Sequence, residues 1–294
     1  VKYFIIGTIL LFGTIGFIGW AKRPKEPVAK ETPREIPLGT SAAPIPIRTS
    51  EELPEVDRIH QLFALDASKL PIVETVSFTS RVPWLAGRPA WIADYASHFE
   101  TSRHFIARSL NKKADYFSQK VSPGDRFNVF KKDKDIRFNL VVDLSKCRMW
   151  FYYLDGSDKV LLKTYKVGVG KLDSSRSSGS LTPLGKYELG ERVAIYKPGV
   201  MSLFQTQKVE MIRIFGTRWL PFEKELEGES AKGIGLHGCP WNEGADGKLM
   251  EDRSKIGKYD SDGCIRLTAE DIEEIFAIVI TKPTTVEIVK DYKP

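Results

Sequence analysis

Cysteine is scarce in this chain: 294 residues hold three, Cys147, Cys239 and Cys264. So low and odd a count excludes a disulfide framework and leaves at least one thiol free, although a regulatory Cys239–Cys264 bridge stays open in an oxidising compartment. Histidine is scarce too, with four residues, and no Cys-x-x-Cys pair occurs. His237, Cys239 and Cys264 could supply three metal ligands, but no obvious fourth accompanies them, so no metal is expected. Charge of one sign is modest. A net +6 suits a carboxylate-rich polymer and equally suits ordinary solubility. Hydrophobic and charged fractions of 42% and 28% exclude a wholly disordered or fibrous chain. The length exceeds one typical domain and allows two.

Charge is missing altogether from residues 3–20, Tyr-Phe-Ile-Ile-Gly-Thr-Ile-Leu-Leu-Phe-Gly-Thr-Ile-Gly-Phe-Ile-Gly-Trp. At about 1.5 Å per residue such a run just spans a bilayer core, so residues 1–21 read as a membrane anchor. Gly19 and Ala21 lie at signal-peptidase spacing, which makes a cleaved signal peptide the alternative. Lys2 before the run and Lys22, Arg23 and Lys25 after it leave the orientation open. Residues 22–50 contain Pro24, Pro27, Pro33, Pro37, Pro44 and Pro46 among charged and small residues, the composition of an extended spacer.

From about 51 to 135 the pattern is partly helical. Ile92, Tyr95, Ala96 and Phe99 are spaced for one helix face, Phe105, Ile106 and Leu110 for another, and Thr101 is placed to cap the second helix. Val121-Ser-Pro-Gly-Asp-Arg-Phe-Asn-Val-Phe130 then predicts a turn and an alternating strand. The phrases HFETSRHFIARSLN and VSPGDRFNVF resemble a divergent LysM module, which implies docking onto glycan strands through residues 51–135. A small helical spacer is the competing reading.

After Lys134 the period changes to two. Phe138, Leu140 and Val142 alternate with Arg137, Asn139, Val141 and Asp143, and Met149, Phe151 and Tyr153 alternate with Trp150 and Tyr152. Further strands are predicted at 160–169, around 185–196, and at 209–215, 233–237 and 284–290. One helix interrupts them. Thr268 with Asp271 forms a capping-box pattern ahead of the stripe Ile272, Ile275, Phe276 and Val279. Residues 136–294 are therefore a mostly-β domain.

Two segments of this domain carry chemistry. Cys264 sits in Ser261-Asp-Gly-Cys-Ile-Arg-Leu267, where Gly263 permits close backbone approach and successive amides could form an oxyanion hole. A buried structural cysteine is the plainer reading of that residue alone. His237, the lone histidine of the β domain, lies in Gly233-Ile-Gly-Leu-His-Gly238 and could take a thiol proton and return it to a leaving amine. Cys147, among strand residues, reads as packing or surface.

The segments FNLVVDLSKCRMWFYY, YKVGVGK, TPLGKYELG, GIGLHG, IGKYDSDGCIRL and DIEEIF resemble, in order, the L,D-transpeptidase family, the YkuD-type catalytic domain, over about 137–290. The resemblance implies a YkuD-like β-sandwich with one or more helices. It makes Cys264 an acylated nucleophile and His237 its base, with the Gly238 carbonyl orienting the imidazole. It also implies amides of Gly263 and Cys264 at the oxyanion, and Ser261 and Arg266 at the pocket rim. Two features depart from the family pattern. Asp262 stands where the family usually has a second histidine, which alters local charge and acceptor preference. The interval from His237 to Cys264 is longer than usual, and residues 239–258 read as an inserted flap or a solvated loop.

The resemblance thus implies an enzyme of the cell envelope that remodels peptidoglycan stem peptides, with its catalytic domain outside the cytoplasm. The acyl acceptor would be an amine, giving a three-to-three cross-link, or water, giving an L,D-carboxypeptidase. A non-catalytic peptidoglycan-binding protein and a zinc amidase are the readings from other classes. No cofactor and no nucleic acid are expected.

Overall fold

A computed structural model describes residues 56–113, 116 and 120–294. The chain divides into two units, Val1–Thr40 and Ser41–Pro294, and every described residue falls in the second. The expected membrane run at 3–20 and spacer at 22–50 lie outside the described residues. Among the described residues no helix is long and apolar enough to cross a membrane.

The first described segment holds a short helix, α1 (His60–Phe63), then β1 (Val73–Ser77), α2 (Ile92–His98), α3 (Arg103–Asn111) and β2 (Arg126–Phe130). β1 and β2 pair antiparallel, from Val73 opposite Phe130 to Ser77 opposite Arg126. Both helices fall where the apolar spacing puts them. Their cap differs from expectation: Ser102, not Thr101, accepts the Phe105 amide at 3.0 Å. Thr101 Oγ1 instead accepts the Phe130 amide at 2.9 Å, tying the start of α3 to β2. The turn before β2 is closed by Asp125 N–H donating to the Ser122 carbonyl at 3.0 Å.

The remaining strands are β3 (Ile136–Asp143), β4 (Arg148–Asp155), β5 (Asp158–Lys166), β6 (Val169–Gly170), β7 (Gly185–Leu189), β8 (Ala194–Ile195), β9 (Met201–Phe204) and β10 (Gln207–Glu210). Helix α4 (Ile212–Phe215) follows, then β11 (Arg218–Gly228), β12 (Gly235–Gly238), β13 (Trp241–Glu243), β14 (Leu249–Glu251), β15 (Tyr259–Ser261), β16 (Ile265–Leu267), helix α5 (Ala269–Val279) and β17 (Thr284–Val289). The main sheet has nine strands in the order β16-β12-β11-β7-β17-β3-β4-β5, with β8 added beside β11. β17 runs parallel to β3 and antiparallel to β7, so it joins two halves of the sheet. The domain is mostly β, as the alternation requires.

The strand expected over 209–215 is split. β10 ends at Glu210, and Ile212 and Phe215, one helical turn apart, form α4 instead. Gly216, at φ +60°, stops that helix, and a Cβ there would meet the Gly238 backbone at 2.6 Å. Only glycine lets α4 sit this close to β12.

A core cluster runs through both described segments, and a second, with Phe78, Tyr95, Ile106, Phe127 and Val129, lies within the first segment. Ile59, Leu62, Phe105 and Phe130 bury in the same cluster as Phe138, Phe151, Ile272 and Phe276. Each such side chain contributes about 1.5–3 kcal/mol relative to exposure. Hydrogen bonds cross as well: Arg58 N–H donates to the Leu162 carbonyl at 2.7 Å, and Ser102 Oγ donates to the Ala277 carbonyl. The composition change near residue 135 therefore marks a change of pattern inside one packed body.

Candidate active site

His237 lies on β12 and Cys264 immediately precedes β16, two short strands that pair in parallel. β12 pairs with β16 so that Leu236 faces Ile265, His237 faces Arg266 and Gly238 faces Leu267. Side chains alternate along a strand, so partners in register share a face. Leu236 and Ile265 point into the apolar core and are fully buried. His237 and Arg266 take the other face. Cys264, two residues before Arg266, belongs to that face as well.

The imidazole is fixed tightly. His237 Nδ1 lies 2.7 Å from the Gly238 carbonyl, and a carbonyl can only accept, so Nδ1 carries the proton and Nε2 presents a lone pair. The ring meets Phe215 edge-on at 5.3 Å between centroids and Trp219 at 6.0 Å, and is 3% exposed. Burial pushes its pKa down to about 4; the Gly238 carbonyl opposes that shift, and the Arg266 charge adds to it.

Cys264 is half-buried, with Sγ 3.9 Å from the Gly233 carbonyl. Burial pushes the thiol up to about 11, against the pull of the Gly235 backbone and the Arg266 charge. Burial thus favours the uncharged form of both side chains.

The turn leading to Cys264 is built from side-chain to backbone bonds. Ser261 is 2% exposed; its Oγ donates to the Cys264 carbonyl at 2.6 Å and accepts the Gly263 amide at 3.1 Å. Its place is therefore inside the turn, where it shapes the backbone of Cys264, rather than at the pocket rim. The Gly263 amide is engaged by that same bond, so it could reach an oxyanion only by giving up Ser261. Gly263 itself is obligatory: φ is +128°, and a Cβ would meet Ile234 Cδ1 at 2.7 Å.

Sequence reasoning missed a second clamp. Thr182, fully buried, donates its hydroxyl to the Gly263 carbonyl at 2.9 Å and accepts the Gly170 amide at 2.7 Å. Ser180 Oγ accepts the Thr182 amide at 3.1 Å and donates to the Gly170 carbonyl at 2.7 Å. The signal was present in the TPLGKYELG segment, but nothing in its spacing names a bonding partner 81 residues away. Phe215 and Trp219, which wall the imidazole, were likewise invisible without the pairing of β11 with β12.

Arg266 is largely buried and donates from Nη1 to Asp260 at 2.9 Å; Asp260 also holds Lys255 at 3.1 Å. Asp262 faces solvent at 85% side-chain exposure and pairs with Lys171 at 2.8 Å. A cleft of about 650 Å³ includes in its lining Trp219, which neighbours the His237 ring, and Gly233, whose carbonyl faces Cys264 Sγ, together with Arg192, Phe222, Glu223 and Lys232.

Cys239 is fully buried, its thiol pushed up to about 12 by burial, and all three cysteines are free thiols. Among the described residues no group of three His, Cys, Asp or Glu could hold a metal ion. Cys147 is buried in the turn between β3 and β4 at φ +48°. The 239–258 stretch contains the β13–β14 hairpin, in which Trp241 faces Glu251 and Glu243 faces Leu249. Arg213 of α4 reaches Glu243 at 3.1 Å.

Comparison with curated proteins returns no match. Among solved structures, this chain is similar to Bd1075 from Bdellovibrio bacteriovorus at 16% identity and a TM-score of 0.36, over 53% of this chain and 49% of that one. It is similar to the helical cell shape determining protein Pgp2 from Campylobacter jejuni at 20% identity and a TM-score of 0.36, over 54% and 49%. A third likeness is Mycobacterium tuberculosis L,D-transpeptidase 1, at 15% identity and a TM-score of 0.26, over 56% and 70%. The chain spans about half the length of the first two. A family model for the YkuD L,D-transpeptidase catalytic domain matches residues 137–288, more than half of the sequence, and the chain belongs to that family.

Proposed function

We propose that this protein is a cysteine-dependent L,D-transpeptidase acting on peptidoglycan stem peptides. The observation that carries the reading is the His237 tautomer, set by the Gly238 carbonyl, on the same face of paired strands as Cys264. In the first half-reaction Cys264 Sγ attacks the carbonyl of the diamino-acid residue at position three of a stem. His237 Nε2 takes the thiol proton and delivers it to the departing amine of the terminal D-alanine. A thioester remains. In the second half-reaction an amine of another stem attacks the thioester, and His237 returns a proton to sulfur. The Cys264 amide is the backbone donor next to the oxyanion, and Ser261, Gly263 and Thr182 hold the turn that aims it. If water takes the amine's place, the same pair acts as a carboxypeptidase.

The cell envelope is the location this substrate requires. Support comes from the uncharged run at 3–20, as membrane anchor or signal, and the proline-rich stretch after it. The strand–helix–helix–strand arrangement of β1, α2, α3 and β2 supports a LysM-like role in docking glycan strands, while its core, shared with the sheet, would hold that docking surface in fixed register with the site.

The test is to incubate the purified chain with a disaccharide-tetrapeptide and follow products by mass spectrometry. A covalent adduct on Cys264, release of alanine and formation of dimers are expected. Cys264→Ala is expected to lose all three, and an unchanged dimer yield from that variant would overturn the assignment.

A further inference from the structure

Asp262 is an exposed carboxylate on a turn that is otherwise locked. On one side of it Ser261 is buried, with its carbonyl accepting the Lys171 amide at 2.8 Å and its hydroxyl bonded within the turn. On the other, the Gly263 carbonyl is held by Thr182. The backbone carrying Asp262 is therefore ordered in advance, two residues from the nucleophile. Its negative charge reaches Cys264 and adds to the upward push on that thiol. The ion-pair partner is Lys171 Nζ at 2.8 Å, and that lysine is itself 56% exposed. Exposed pairs of this kind are weak and are screened by salt, so another ammonium can replace Lys171 at little cost. The two other cations near the turn, Arg266 and Lys255, are already held by Asp260.

We propose that Asp262 is the docking carboxylate for the acyl acceptor, taking the side-chain ammonium of the incoming stem in exchange for Lys171. This deepens the acyl-enzyme reading and rests on it. The acceptor arrives as an ammonium, releases one proton to solvent, and attacks the thioester as the free amine. The carbon–nitrogen bond forms, the carbon–sulfur bond breaks, and the second amine proton passes through His237 Nε2 to Sγ. The thioester and ammonium become an amide, a thiol and one released proton. A carboxylate here also favours the ammonium over the free amine. Its effect therefore shows in capture of the acceptor, as KM, rather than in the rate of the attack. Water carries no charge, so hydrolysis of the same thioester gains nothing from Asp262.

The experiment compares the full chain with its Asp262→Asn and Lys171→Ala variants. Each is given a tetrapeptide donor and a stem peptide with a free side-chain amine as acceptor, at about 10 mM and about 1 M salt. The readout is the ratio of dimer to hydrolysed product, normalised to the acyl-enzyme seen by intact mass. Asp262→Asn is expected to lower the ratio up to about fivefold at low salt, through acceptor KM, and the difference is expected to vanish at high salt. Lys171→Ala is expected to raise the ratio by removing the competing cation. Acyl-enzyme in all three chains with an unmoved ratio, or a fall equally large at both salts, overturns the proposal alone. No acyl-enzyme in the unaltered chain overturns the reading beneath it as well.

Discussion

The two halves of the nine-stranded sheet are held by different forces. On one side of β17, strands β3, β4 and β5 are hydrocarbon on hydrocarbon. Phe138 packs at a tilt between Phe130 and Phe151 at centroid distances of 5.9 and 5.4 Å, and Trp150 and Tyr152 close a smaller cluster on the opposite face. On the other side, around β12 and β16, order comes from hydroxyls, carbonyls and missing Cβ atoms. Thr182, Ser261, Gly216 and Gly263 each occupy space or satisfy a backbone group that no other residue type could serve equally. Packing tolerates small rearrangements at modest cost, whereas a buried hydrogen-bond lattice has few alternative arrangements. The first half therefore sets how stable the protein is, and the second sets where one sulfur atom lies.

The sharpest break of that division comes from Phe138→Ala. Loss of a fully buried ring with its cavity is expected to cost about 3–5 kcal/mol in urea unfolding. The acylation rate per folded molecule is expected to stay unchanged; a proportionate drop there would show that the halves are not separable. Next in size is the acid response of His237. Its folded pKa of about 4 lies below the ordinary value of 6.5, so the unfolded chain takes up the proton first. Stability is full above about pH 6.5 and is lost as pH falls toward 4, by about 3 kcal/mol. His237→Gln is expected to flatten that part of the curve in denaturant titrations at stepped pH.

The smallest effect belongs to Thr182. Thr182→Val leaves the Gly170 amide and the Gly263 carbonyl without their partner, for about 1–3 kcal/mol in thermal unfolding. Alkylation of Cys264 by iodoacetamide is expected to change with it. Thr182→Ser is expected to restore both, and failure of that rescue would assign the effect to packing instead of the hydroxyl.

Much of the first half was legible in the sequence, and much of the second was not, for the same reason. Alternation announces β3 and β4 because one buried face repeats every second residue, and the stripe Ile272, Ile275, Phe276 and Val279 announces α5 with Thr268 as its cap. β1 carries no such mark: Glu74, Thr75 and Ser77 interrupt its apolar residues, and its pairing with β2 comes from a partner 49 to 57 positions away. At 209–215 a short apolar run fits strand or helix alike, and the close approach of Gly216 to Gly238 decides it. Cys264 and His237 could be picked out by residue type and glycine neighbours. The side-chain bonds that hold the Cys264 turn could not, since a threonine hydroxyl has no periodicity and its acceptor is set by tertiary closure.

The position of β17 has a consequence for how the molecule comes into being. Among the described residues it follows all the other strands in sequence, yet it lies between β7 and β3, which have no pairing with each other. Until residues 284–289 arrive, the aromatic hairpins and the strands bearing the reactive pair are two separate open edges. Closing them demands contacts across nearly the whole domain, which makes assembly slow and cooperative. A molecule caught before that step would have most of its hydrocarbon in place and its sheet still in two pieces.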